Sequence, residues 1–182
     1  MKIAVYCSSS NSIAEKYKQA GFRLGEMIAE SGNTLVYGGA TGGLMDSVSE
    51  GCYNKKGPII GIISEAIIKM NRQSSICTEL ITVETMSQRK AQMKEISDIF
   101  VVLPGSYGTL DEMLDVVTSG IVGEHKKPLI IVNQNGFYNQ FLSQIDYMRS
   151  ESFIPTEEKY KPLVSTDLNH CMELINSLIK NS

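Results

Sequence analysis

The segment IFVVLPGSYGTLDE, residues 99–112, joins a continuous apolar run to a helical pattern through a glycine-rich turn. Ile99–Leu103 is apolar at every position, which is typical of a strand buried on both faces of a parallel sheet. After the turn, apolar residues recur at helical spacing, at Leu110, Met113, Leu114, Val117 and Ile121. The order of strand, tight turn and helix is the unit from which α/β sheets are built.

The same order recurs along the chain. We predict strands at Lys2–Cys7, Thr34–Tyr37, Pro58–Ile63, Glu79–Val83, Ile99–Leu103 and Pro128–Val132. Helical stripes occupy residues 13–28, which stop at Gly32, and residues 168–179, which follow start signals at 165–167. Residues 64–78 are the least regular and are expected to form a loop over the sheet edge. The repeated order predicts one Rossmann-like, doubly wound α/β domain over residues 1–182, a parallel sheet with helices on both faces.

Length and composition are those of a soluble single-domain protein. The chain has 182 residues, of which 42% are hydrophobic and 20% charged, and a chain of this size buries roughly 70% of its unfolded surface. Seventeen basic and twenty acidic residues give a net charge of −3, which offers no basic field for nucleic acid or an anionic membrane. An anion must therefore be bound locally, and we expect a small-molecule partner.

Targeting and redox features favour the cytoplasm. Residues 1–6 enter a strand pattern without the apolar core of a signal peptide, and no apolar run approaches the ~20 residues that span a bilayer. The four cysteines, at positions 7, 52, 77 and 171, are scattered and form no CxxC pair. Such a distribution is typical of buried reduced thiols rather than of disulfides or zinc sites. We expect neither a metal nor an organic cofactor.

Open parallel sheets bind ligands at the carboxyl ends of their strands, so three loops are candidate sites. Residues 7–12, CSSSNS, offer helix caps or ligand hydroxyls, and capping is the favoured interpretation. Residues 37–45 contain four glycines, which suit a tight turn and a ligand loop equally and match neither a P-loop nor GxGxxG. Residues 103–109 precede the amphipathic helix, where backbone N–H groups and the helix dipole favour a phosphate.

Charged residues near the starts of two helices are candidates for the functional groups of the site. Asp111 and Glu112 are expected in the first turn of their helix, where the dipole favours carboxylates whatever their function. Residues 85–88 form a capping-box pattern, which places Arg89 and Lys90 near a helix start. That end is unfavourable for cations by ~0.3–1 kcal/mol each. The placement favours an anion or a carboxylate opposite these cations over a merely solvated pair.

Three motifs together resemble the LOG-type phosphoribohydrolases, the family that includes the plant enzymes producing free cytokinin bases. Its members have often been labelled possible lysine decarboxylases. The family pattern PGGxGTxxE is matched at residues 104–112 except at Ser106, and MHxRK is matched at residues 86–90 except at Ser87. The pattern YGGxxxGLM is matched in full at residues 37–45. The likeness covers nearly the whole chain at consistent spacing.

The resemblance implies a Rossmann-like fold, a catalytic pair of Arg89 and Glu112, and a homodimer with sites near the subunit interface. It also implies a glycine loop that holds a 5′-phosphate. The substrate-binding residues that it suggests are Gly39, Asn71, Lys90, Gly105, Ser106, Tyr107, Gly108, Thr109 and Thr118. Asn71 stands where plant members have Glu, and Ser119 where they have Trp. Ser106 would be strained if the glycine it replaces needs a positive φ.

The implied reaction is hydrolysis of the N-glycosidic bond of a purine nucleoside 5′-monophosphate, AMP or an N6-modified adenine nucleotide, to free base and ribose 5-phosphate. Glu112 would orient water and stabilise an oxocarbenium-like sugar, by analogy with glycosidases. Arg89 would position the ribose or keep the carboxylate ionised. Lysine decarboxylation is not expected, because a pyridoxal enzyme needs a Schiff-base lysine and a larger cofactor domain.

A non-catalytic nucleotide-binding or sensor module on the same fold is the alternative. Such a module would use the phosphate loop but would not need the pair of Arg89 and Glu112. Release of base from a nucleotide separates the two hypotheses.

Overall fold

A computed structural model describes residues 1–180, and the last two residues of the predicted domain lie outside the described residues. Its sheet contains β1 (Lys2–Tyr6), β2 (Thr34–Tyr37), β3 (Ile59–Ser64), β4 (Glu79–Val83), β5 (Ile99–Val102), β6 (Leu129–Val132) and β7 (Leu163–Ser165). The strand order is β4-β3-β2-β1-β5-β6-β7, and each pairing between neighbours is parallel. The predicted Rossmann-like parallel sheet is thus confirmed.

The helices follow the strands in the expected alternation. They are α1 (Glu15–Glu30), α2 (Gly43–Asn54), α3 (Glu65–Ile68), α4 (Met86–Ile96), α5 (Tyr107–Val122), α6 (Asn139–Ser150) and α7 (Leu168–Lys180), with a 3-10 turn at Gln134–Gly136. All six predicted strands are present, and each end lies within one residue of its prediction. The sequence did not indicate β7, which has only three residues.

The core is divided by the sheet into two layers. One layer packs side chains such as Leu24 of α1, Val48 of α2 and Ile175 of α7 against the strands. The other packs Met93 of α4 and Val116 of α5 against the opposite face. Alternate residues of one strand serve both layers, which is why the strands read as continuous apolar runs.

The chain reverses its direction of winding at the sheet centre, where β1 lies between β2 and β5. The loops after β1 and β5 are joined at this point, since Ser8 N donates to Pro104 O over 3.2 Å. Ligands of open α/β sheets bind outside the carboxyl ends of the strands at such a switch point. Within residues 1–180, no helix combines the length and the apolar character needed to cross a membrane.

Candidate active site

The start of α4 is fixed by the predicted capping box. Thr85 Oγ1 accepts from Gln88 N over 3.2 Å, and Gln88 Oε1 accepts from Thr85 N over 3.1 Å. Arg89 is therefore the fourth helical residue, and its Nε donates to Ile62 O of β3 over 2.9 Å. The guanidinium is held at the carboxyl edge of the sheet, 4% exposed.

Two glycines of the loop after β2 are required by the packing. A Cβ at Gly38 would lie 2.0 Å from Arg89 Nη2, so any side chain there would displace the guanidinium. Gly39 has a φ of +65°, which L side chains rarely adopt, and its Cα faces the backbone of Gly61 in β3. Gly38 thus makes room for Arg89, while Gly39 serves the turn and lies outside the lining of the cavity described below.

Arg89 forms a buried ion pair with Glu112 of α5. Arg89 Nη1 donates to Glu112 Oε1 over 2.5 Å, and the two side chains are 5% and 6% exposed. The first-turn position expected for Asp111 and Glu112 was wrong, because α5 begins at Tyr107, ahead of its apolar stripe, and no acidic residue occupies its first turn. The helix dipole acts mainly within that turn. It therefore gives little reason for the presence of Glu112.

Burial and the ion pair change the pKa of Glu112 in opposite directions. Burial raises the pKa of the Glu112 carboxyl above its ordinary value, and the Arg89 guanidinium offsets part of that rise. Burial also raises the pKa of the neighbouring Cys7 thiol, and the negative charge of Glu112 adds to the effect. Cys7 is therefore a neutral wall residue, whereas Glu112 depends on Arg89 for its charge.

The amino end of α5 faces the same space. Ser106 is the residue before the helix, and its φ of −109° is open to any residue, so the strain considered for a serine here does not arise. Its hydroxyl makes no capping hydrogen bond to α5. The N–H groups of residues 107–109 open the helix, where intrahelical acceptors are lacking. This end of α5 presents N–H donors and the positive pole of the helix.

A cavity of about 170 Å³ lies between these parts. Its walls come from the loop after β1, the glycine loop after β2, the segment 64–78, and the amino ends of α4 and α5. Of the predicted site residues it brings together Arg89, Ser106, Gly108, Thr109 and Glu112. The catalytic pair and the phosphate-loop residues predicted from separate motifs therefore share one cavity.

Lys90 is not among the residues that line this cavity, but it is paired with Asp111, which is. Its Nζ lies 2.8 Å from Asp111 Oδ1, and the two side chains are 20% and 60% exposed. This contact with Asp111 raises the pKa of the Lys90 ammonium. Both cations at the start of α4 thus face carboxylates, as their unfavourable position relative to the helix dipole predicted.

The remaining predicted residues lie away from the cavity lining. Gly105 and the 91% exposed Tyr107 flank Ser106 in the loop and the first turn of α5. Thr118 is exposed on α5, and its hydroxyl donates to Leu114 O over 2.8 Å. Asn71 is exposed with a φ of +55°. Asn71 comes one residue before the side chain that does line the cavity.

That side chain is Arg72, which the sequence analysis missed. The segment 64–78 was expected over the sheet edge, but it packs on the glycine loop instead: Thr41 N donates to Arg72 O over 2.7 Å and Ser74 N to Gly39 O over 2.9 Å. Arg72 lines the cavity together with Arg89. A lone arginine in an irregular segment gave no sequence signal.

The loop after β1 supports the start of α2 and does not cap the helix that follows it in sequence. Asn11 Oδ1 accepts from Gly43 N over 2.9 Å and Ser8 O accepts from Leu44 N over 2.9 Å, both at the start of α2. The helix that follows the loop in sequence, α1, begins after Ala14 without a side-chain cap. No group of three or more His, Cys, Asp or Glu residues suited to a metal ion occurs within residues 1–180.

Comparison with known proteins agrees with the motifs. A family model described as "Possible lysine decarboxylase" matches residues 45–175. "Cytokinin riboside 5'-monophosphate phosphoribohydrolase LOG" of Oryza sativa subsp. japonica is 39% identical over 158 residues, which cover 87% of this chain and 65% of that protein. The corresponding enzyme LOG1 of Arabidopsis thaliana is 39% identical over 153 residues, covering 84% and 72%. The chain thus spans about two thirds of the length of these curated relatives.

Among solved structures, a molybdenum cofactor binding protein from Rippkaea orientalis aligns with a TM-score of 0.74 over 98% of this chain and 96% of that one. Its sequence identity of 22% shows a shared fold and no more. The identity to the plant enzymes, by contrast, is 39% and extends over most of the chain. The chain belongs to the LOG phosphoribohydrolase family, whose model is described as possible lysine decarboxylase.

Proposed function

We propose that this protein hydrolyses the N-glycosidic bond of a purine nucleoside 5′-monophosphate, AMP or an N6-modified adenine nucleotide, to the free base and ribose 5-phosphate. The observation that carries the proposal is the buried pair of Arg89 and Glu112 in a cavity that the amino end of α5 also lines. A charged pair that is desolvated beside a helix start combines a reactive group with an anion site.

The amino end of α5 is the proposed phosphate anchor. N–H groups of residues 107–109 and the hydroxyls of Ser106 and Thr109 supply donors, and the helix pole favours a dianion. Gly105 precedes this turn and shapes the same loop. An anchor at the phosphate fixes the ribose without touching the bond that breaks, which lowers the entropic cost of reaching the transition state.

Glu112 is the proposed catalytic carboxylate. The oxygen of an attacking water bonds to the anomeric carbon, the carboxylate takes the proton of that water, and the electron pair of the glycosidic bond leaves with the base nitrogen. The departing base takes a proton from solvent to become the free base, and Glu112 returns its proton to solvent. The carboxylate also stabilises positive charge that develops on the sugar. Arg89 holds the carboxylate ionised against its burial, which is the opposition seen in the pKa of Glu112.

Lysine decarboxylation has no support at this cavity. Pyridoxal chemistry needs a lysine amine free to form a Schiff base. The described residues that line the cavity include no lysine, and the nearby Lys90 is paired with Asp111, which lines it. The proposal therefore follows the names of the plant relatives rather than the description of the family model.

We further infer a homodimer in the cytoplasm. Leu114, Ile121 and Val122 expose 42%, 46% and 72% of their area along α5, on the helix that also carries Thr118, and exposed apolar patches of this kind mark association surfaces. Covering this face would bring Thr118, and with it Lys90 and Tyr107, towards a neighbouring subunit. Burial raises the pKa of the Cys171 thiol to about 12, which suits a permanently reduced cysteine.

Incubation with a panel of nucleoside monophosphates, followed by chromatography for free base and ribose 5-phosphate, tests the activity. We expect base release from AMP or an N6-modified analogue and poor turnover of adenosine, which lacks the anchored phosphate. Tight binding of monophosphates without release of any base would favour the non-catalytic binding module instead. Light scattering at micromolar concentration checks the dimer.

A further inference from the structure

Arg72 connects three segments at the mouth of the cavity. Its backbone pairs with the glycine loop through the 2.7 Å hydrogen bond from Thr41 N. Its Nη2 returns across the same loop and donates to Thr41 O over 2.5 Å and to Ser9 O over 3.4 Å. One guanidinium edge is thus fixed by carbonyl groups on two loops, and the side chain lines the cavity.

The charges around the cavity leave Arg72 without a counter-charge. Glu112 is taken by Arg89, and Asp111 by Lys90. Among residues 1–180, no carboxylate lies within ion-pair distance of Arg72. A cation that is partly removed from water and lacks a partner favours an anion in the space it faces.

The guanidinium of Arg72 keeps N–H donors for an anion. Its hydrogen bonds within the described part of the chain both run through Nη2, which leaves Nε–H and both Nη1–H groups without a protein acceptor there. Each of these groups can donate a charge-assisted hydrogen bond to a phosphate oxygen. The carbonyl contacts of Nη2 set the orientation of these donors in advance.

We propose that Arg72 binds the 5′-phosphate of the substrate, opposite the amino end of α5, and that its contacts with Thr41 and Ser9 hold it in place. The proposal rests on the proposed function, since a nucleoside monophosphate carries its negative charge on the phosphate alone. It assigns phosphate selectivity to the segment 64–78 in addition to the glycine loop.

Calorimetric binding of AMP, adenosine and inorganic phosphate to Arg72→Gln tests the proposal. The glutamine amide retains one donor for the loop carbonyls but removes the charge. We expect the affinity for AMP and phosphate to fall roughly 10- to 100-fold, the range of a charge-assisted hydrogen bond, with adenosine affinity unchanged. Arg72→Lys, which keeps the charge without the fixed donors of the guanidinium, should have affinities between those of Arg72→Gln and the unaltered protein.

Lys69→Gln is the matched control, because Lys69 lies on the same segment, has a side chain that is 79% exposed, and forms its ion pair within residues 1–180 with Glu65 at 3.8 Å. It should leave all three affinities unchanged. Equal losses of affinity for AMP and adenosine in Arg72→Gln would show that Arg72 only holds the two loops in place, and this would overturn the inference. Unchanged affinity for AMP would overturn it as well. Arg72-dependent AMP binding without base release would instead overturn the proposed function and leave this inference standing.

Discussion

Three ion pairs join α4 to α5, and the two that consecutive residues form differ in burial. Arg89 meets Glu112 and Lys90 meets Asp111, so the same two helix segments supply a cation and a carboxylate to each pair. The first pair is 5% and 6% exposed, whereas the second is 20% and 60% exposed. The two cations are neighbours in sequence, and so are the two carboxylates, yet one pair is buried away from water and the other is in contact with it.

The difference indicates why only one pair is suited to chemistry. An exposed pair contributes about 0–1 kcal/mol to stability and is screened by salt. A buried pair loses the hydration of both ions, and apolar residues of the same volume would stabilise the fold as well or better. Stability alone thus gives no reason for Arg89 and Glu112, whereas a carboxylate with a raised pKa in a cavity has a use in proton transfer.

The largest expected effect follows from Glu112→Gln. The amide still accepts the hydrogen bond from Arg89, so the protein should fold and bind nucleotide, but kcat should fall roughly 100-fold or more, as for a positioned acid–base group. We would measure AMP turnover, melting temperature and nucleotide affinity on this variant. Asp111→Asn, which removes the neighbouring carboxylate, is the control. Near-normal turnover in Glu112→Gln would contradict the mechanism.

Arg89→Ala should damage turnover to a similar extent, because an unpaired Glu112 takes up a proton in its buried site. Breaking a buried pair from one side also lowers the free energy of unfolding by about 3–5 kcal/mol. The double variant Arg89→Ala with Glu112→Gln should be little slower than either single variant, since residues that act as a unit are not additive. Additive losses in kcat would show that the two side chains act separately.

The sequence predicted the fold and this pair for identifiable physical reasons. Strands buried on both faces leave continuous apolar runs, as at Ile99–Leu103, and the capping box at Thr85 fixed the position of Arg89 along its helix. The opposing carboxylates were anticipated because cations at a helix start need compensation. These features are local, so single-sequence patterns record them.

Other features depend on the folded chain and left no local pattern. β7 has only three residues, too few for a periodic signal. Arg72 reaches the cavity through long-range contacts with Thr41 and Ser9, which no spacing encodes. Asn71 was selected only because it stands where plant members have Glu, and Thr118 lies outside the residues that line the cavity. Their substrate contacts stay predictions.

A smaller effect is expected in the pH dependence of kcat and of stability, which the buried Glu112 should shift. Burial holds the pKa of Glu112 above its ordinary 4.5, so kcat should decline on acidification at a higher pH than a solvated carboxylate would give. A raised pKa in the folded state means that protonation stabilises the fold, a contribution present at low pH and lost as the pH rises through that pKa. Glu112→Gln should remove this contribution. Urea unfolding at a series of pH values, compared with the pH–rate profile, provides the measurement.

The smallest effect is expected from the exposed pair. Asp111→Asn removes one partner of Lys90 but leaves the ammonium in contact with water, so the free energy of unfolding should fall by no more than about 1 kcal/mol. The loss should shrink further at about 1 M salt, where the screening length is about 3 Å, and kcat should stay close to that of the unaltered protein. Chemical denaturation at low and high salt, with AMP turnover on the same samples, measures both quantities. A collapse of kcat or a salt-independent loss of several kcal/mol would show that burial does not separate the two pairs, and the assignment of Glu112 as the catalytic carboxylate would then lose its physical basis.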